Sequence, residues 1–79
     1  MKKNQRKVSL EFGSLIKQRR EELGYSIQRI APEVHSSAGY ISRLENHKRR
    51  NPSICIVYAL AEVLEIDIGY LVNVAFPKQ

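Results

Sequence analysis

The chain has a single cysteine, Cys55, so no disulfide can close within it. Its two histidines, His35 and His47, are far apart and make no zinc-ligand spacing with that thiol. No apolar run approaches the roughly 18–20 residues that a membrane-crossing helix needs. The basic start, Met1 to Lys7, is followed by no long apolar stretch and so does not read as a signal peptide. Repeats, low-complexity tracts and the apolar–polar alternation of strands are missing. So are paired carboxylates, a nucleophile and base at recognisable spacing, and a Gly-rich phosphate loop. A chain this short also encloses little of a cleft. These absences exclude an enzyme, call for no metal and no cofactor, and describe a cytoplasmic chain held together by packing.

Acidic charge is scarce as well. Thirteen Lys and Arg face 8 Asp and Glu, a net +5 over 79 residues. A basic field on one small domain suits a polyanionic partner, nucleic acid above all.

What is present is helical. Residues 1–8 carry Lys2, Lys3, Arg6 and Lys7 and little that is apolar, which reads as a flexible basic arm. Whether that arm reaches into a DNA minor groove or trails free is open at this level. The folded domain is expected over 9–76, with 77–79 as a tail. Phe12, Leu15, Ile16 and Leu23 recur at helical spacing behind Ser9 as N-cap, and Gly24 suits a left-handed helix end. Ser26 caps a second helix striped by Ile27, Ile30, Ala31 and Val34. Pro32 lies beyond its first turn, where a proline costs about 3 kcal/mol, so this helix is either bent or short.

Ser36 and Ser37 offer caps for a third helix running to about Asn46, with Ile41 and Leu44 inward. Lys48 to Asn51 form a polar loop. Pro52-Ser53 then opens a fourth helix expected to bury Ile54, Val57, Leu60, Ala61 and Leu64. Asp67 caps a fifth, carrying Ile68, Leu71 and Val72. The fold class is therefore all-α, a compact bundle of five short helices containing a helix-turn-helix. His35 and His47 fall at helix ends where positive φ is common, and both read first as turn residues.

Arg20-Glu21-Glu22-Leu23-Gly24-Tyr25-Ser26, Ile30-Ala31, Tyr40-Ile41-Ser42-Arg43-Leu44-Glu45, Asn51-Pro52-Ser53-Ile54 and Ala61 to Leu64 occur in order. On these segments the chain resembles the Cro and phage-repressor (Xre-type) helix-turn-helix family, and within it the small repressors of Gram-positive bacteria. The resemblance covers about Phe12 to Val72. It implies a third helix that reads the major groove, a second that lies across the backbone, and an ion pair between Arg20 and Glu45 with a structural role.

On that basis Ala38, Gly39, Tyr40, Ser42 and Arg43 are expected to face bases, Arg43 forking onto guanine. Ser26, Gln28, Ser37, Lys48, Arg49, Arg50 and Asn51 are expected on phosphates. Ile27 and Ala38 stand where the family usually has longer polar side chains, which predicts sparse base reading and a greater share for DNA shape. Ile56, Tyr58, Ala59, Val63, Tyr70, Val74 and Phe76 make a second apolar surface, suited to a homodimer on a palindromic site. The function implied is a sequence-specific transcriptional repressor of double-stranded DNA. The competing reading is a protein-interaction module, an antitoxin or anti-regulator on the same scaffold.

Overall fold

The computed structural model describes residues 7–77 and holds five helices: α1 (Leu10–Glu22), α2 (Ile27–Glu33), α3 (Ala38–Glu45), α4 (Ile54–Val63) and α5 (Ile68–Ala75). There is no strand among the described residues. Each helix opens on a side-chain cap. Ser9, Ser26, Ser37, Ser53 and Asp67 accept from the backbone N–H three residues on, satisfying a donor with no partner inside the helix.

The first four helices also close alike. After α1, Gly24 N–H donates to the Glu21 carbonyl and Tyr25 N–H to that of Arg20, with Gly24 at φ 74°. The same crossed pair of bonds ends α2 at His35 (φ 58°), α3 at His47 (φ 65°) and α4 at Glu65 (φ 58°). Both histidines are the left-handed turn residues expected of them. Glu65 has no such signal, since glutamate is not a residue that favours positive φ. Pro32 is resolved in favour of a short helix. It sits one residue before the end of the seven-residue α2, so only one turn lacks its hydrogen bond.

The core is built from Phe12 and Ile16 of α1, Ile30 and Ala31 of α2, Val34 beyond it, Ile41 and Leu44 of α3, Val57, Leu60 and Ala61 of α4, Leu64 beyond it, and Leu71 and Ala75 of α5. Val8 joins them at 2% exposure, which corrects its assignment to the basic arm. It precedes the cap of α1, and its main-chain bond to the Arg50 carbonyl holds it there. Residues 1–6 of that arm, and residues 78 and 79 of the tail, lie outside the described residues. Ile54 is a second correction. It is 67% exposed, on one outward stripe with Tyr58, because it precedes the turn of α4 that reaches the core.

Polar ties also fix the helices to one another. Ser9 N–H donates to the Ala75 carbonyl (2.8 Å) and its hydroxyl to that of Val74 (2.7 Å), so the residue that starts α1 also closes α5. Arg19 Nε donates to the Leu64 carbonyl at the end of α4 (2.9 Å). Gly13 is buried where α1 crosses the end of α3, and a Cβ there would stand 2.5 Å from the Leu44 carbonyl oxygen and 3.2 Å from that of Glu45. Backbone cannot yield as a side chain tip does. Gly13→Ala is therefore expected to lower unfolding free energy by about 1–3 kcal/mol in urea, despite alanine's better helix propensity. Glu65→Gly is expected to raise it by roughly 0.5–1 kcal/mol, by relieving the left-handed backbone.

Candidate nucleic-acid interface

α3 turns Ile41, Leu44 and Glu45 inward and leaves Gly39 and Arg43 exposed, four residues apart on one side. The Arg43 guanidinium folds back along the helix, its Nη1 3.5 Å from where a Gly39 Cβ would stand. Long side chains on a helix lean toward its N-terminus, so the charge lies over the first turn of α3. That turn is the part of a recognition helix that meets base edges. Glycine at 39 leaves the space free.

Tyr40 is half-buried against the core, and the Arg49 guanidinium stands 5.5 Å from its ring centroid. The cation–π contact holds the loop after α3 against α3 itself. Ser42 is half-buried, and its hydroxyl and carbonyl accept from Asn46 Nδ2 at 3.3 and 2.9 Å. Ala38 is half-buried and, like Tyr40, packs partly on the core.

Ser26, Gln28, Ser37, Lys48, Arg49 and Asn51 are all exposed. The hydroxyls of Ser26 and Ser37 accept from Arg29 and Tyr40 N–H, which leaves each its own proton to donate. Arg50 is the correction in this group. Its Nε and Nη2 donate to the Val8 carbonyl at 3.1 and 2.9 Å, while Val8 N–H donates to the Arg50 carbonyl at 2.7 Å. This guanidinium ties the start of the fold to the loop instead of standing free for phosphate. Arg29 was not expected here at all. It is exposed on α2, 4.2 Å from the Tyr25 ring centroid and 4.0 Å from Glu33. Its place after Gln28 at the start of α2 was the available signal.

The ion pair expected from Arg20 to Glu45 is present and two-pronged. Nε meets one carboxylate oxygen at 2.7 Å and Nη2 the other at 3.0 Å, while Nη1 donates to the Tyr25 carbonyl at 2.8 Å. The side chains are 11% and 2% exposed. Hydrogen bonding to Glu45 holds the Arg20 proton more tightly than in a free guanidinium, against the opposing effect of burial. One side chain thus anchors α1, the turn into α2 and the last residue of α3.

On the far side of the bundle the expected apolar surface divides. Ile56, Ala59, Val63 and Phe76 pack at least partly on the core, and Val74 is half-buried. Tyr58 and Tyr70 are exposed, together with Leu10 and Ile54, which had not been placed on that surface. A groove of about 490 Å³ runs between α1 and α5, lined by Leu15, Gln18, Tyr70 and Val74 among others. Among the described residues no cluster of His, Cys, Asp and Glu is placed to hold a metal ion. No helix there is long and apolar enough to cross a membrane.

A helix-turn-helix family model matches residues 16–71. The HTH-type transcriptional regulator SinR of Bacillus licheniformis is 34% identical over 62 residues, 78% of this chain and 56% of that protein. The chain thus spans just over half the length of the curated relatives it matches first. Among solved structures, SinR, the master regulator for biofilm formation, in complex with DNA aligns with a TM-score of 0.70 at 33% identity, over 77% of this chain and 97% of that one. The P22 c2 repressor in complex with a synthetic operator aligns at 0.72 and 25% identity, over 80% and 94%.

Removing one partner of the buried pair strands a charge. Arg20→Ala is expected to cost about 3–5 kcal/mol in urea unfolding, and the double variant Arg20→Met/Glu45→Met to recover most of that loss.

Proposed function

Because the chain belongs to the Xre/Cro-type helix-turn-helix family, we propose that it is a sequence-specific DNA-binding transcriptional repressor that lays α3 in the major groove of a palindromic operator. The observation that carries this reading is the position of Arg43. It is exposed over the open first turn of α3, on a helix whose far end is locked by a buried ion pair. A guanidinium held there is pre-set to fork onto the O6 and N7 of guanine. Lys48 and Arg49 follow directly, with Ser26, Gln28 and Ser37 at the starts of α2 and α3, and these position the domain on phosphates. Arg29 joins them from α2. SinR in complex with DNA and the operator-bound c2 repressor, relatives in sequence and fold, support the same assignment.

Two copies pair on the operator through the exposed stripe of Ile54 and Tyr58 and through Tyr70. The chain acts in the cytoplasm and needs no catalysis, since covering a promoter is enough to repress it. Free cations beside α3 favour this over a protein-interaction module, which would have no use for them.

Base reading and backbone grip separate on mutation. Arg43→Ala is expected to lose about 1–3 kcal/mol of discrimination at one base pair, seen by selecting bound fragments from a random DNA pool. Arg49→Ala is expected to weaken every duplex similarly and to reduce the salt dependence of binding by about one ion. Unchanged discrimination in Arg43→Ala would move base reading to another residue.

A further inference from the structure

Arg49 is exposed in the loop after α3, and its backbone is held on both sides. Its own N–H, like that of Lys48, donates to the Arg43 carbonyl, at 3.1 and 2.8 Å, which binds the loop to α3. The next carbonyl, that of Arg50, accepts from Val8 N–H at 2.7 Å, and the Arg50 guanidinium returns two bonds to the Val8 carbonyl. A loop pinned at two adjacent residues leaves freedom mainly to the Arg49 side chain. That freedom is limited in turn by Tyr40, whose ring centroid lies 5.5 Å from the guanidinium carbon. Tyr40 is itself fixed: its N–H donates to the Ser37 hydroxyl at 3.1 Å, and the residue packs partly on the core.

We propose that Tyr40 is a positioning residue for Arg49: its ring holds the guanidinium ready for a phosphate of the duplex that α3 reads, and Tyr40 itself reads no base. The inference rests on the DNA-binding role proposed above, and it moves Tyr40 out of the base-facing set that the sequence suggested. A guanidinium over an aromatic ring offers its face to the ring and keeps its N–H edge for an anion. Arg19, Arg20 and Arg50 instead give N–H groups to oxygens of the protein. Arginine is also among the side chains with most rotamer freedom to lose, so a ring that restricts it beforehand lowers the cost of immobilising it on DNA. An aliphatic residue at position 40 would fill the same space against the core without attracting a cation. The phosphate contact carries no sequence information, since phosphates are alike at every base pair. It starts beside the turn where Arg43 reaches over Gly39, so backbone grip and base reading arise from neighbouring residues of α3.

The test uses the full chain and duplex DNA holding its selected site, at a temperature where circular dichroism shows every variant folded. Tyr40→Leu keeps apolar packing and removes the ring; it is expected to weaken binding about 2- to 5-fold per bound copy, equally for all duplexes. Tyr40→Phe keeps the ring and is expected to restore binding with base preference unchanged. In the Arg49→Ala background Tyr40→Leu is expected to add nothing, whereas a loss that came through folding or through direct DNA contact would persist there. A persisting loss therefore overturns the proposal, as does full binding by Tyr40→Leu. An altered base preference in Tyr40→Phe makes the hydroxyl a reader and overturns it too. Each of these leaves the repressor reading standing, while a natural chain that binds no duplex at any salt removes both.

Discussion

The two-pronged contact between Arg20 and Glu45 is the constraint on which the placement of α3 depends. Glu45 is the last residue of α3, and its carboxylate is buried. It is stable there only with a guanidinium aligned on both oxygens, and that alignment admits one orientation of α3 against α1. The third bond, to the Tyr25 carbonyl, extends the constraint into the turn that launches α2. Desolvation offsets much of the attraction, so the pair contributes more to geometry than to net stability. Gly13 makes the contact reachable, since any larger residue would hold the two helices apart.

A consequence is that the cations of this basic chain divide into two populations. Arg19, Arg20 and Arg50 are spent inside the molecule, on the end of α4, on Glu45 and on Val8. Lys7 and Lys17 remain exposed, and so do Arg29, Arg43, Lys48 and Arg49, on α2, on α3 and in the loop that follows it. The electrostatic field at the interface is therefore narrower than the formal charge suggests. It is centred on the helix pair and the loop, where phosphates would lie.

The helix ends show how a fold with little glycine makes its turns. His35, His47 and Glu65 hold left-handed backbone that glycine would hold without strain, at a cost of about 1 kcal/mol or more each. The crossed hydrogen bonds at those positions offset it. Pro32 is tolerated for a related reason: α2 is stopped by the His35 turn almost as soon as the missing hydrogen bond would be felt.

Helix number, caps and inward stripes were legible along the chain because they are local. Ser9, Ser26, Ser37, Ser53 and Asp67 act on donors three residues away, and core positions repeat at the helical period whatever they meet. α3, its exposed Arg43 and the Arg20–Glu45 pair were also legible, the last through the ordered motifs of the family. What the tertiary structure alone decided are matters of distant partners. Arg50 and Arg49 are adjacent cations in one loop, and nothing local says that the first turns in to Val8 while the second crosses Tyr40. Ile54 is exposed against the expectation from its helical spacing, because burial depends on where a neighbouring element ends. Local chemistry fixes what each segment becomes, and only the packing of segments far apart in the chain decides which side chains are left to meet another molecule.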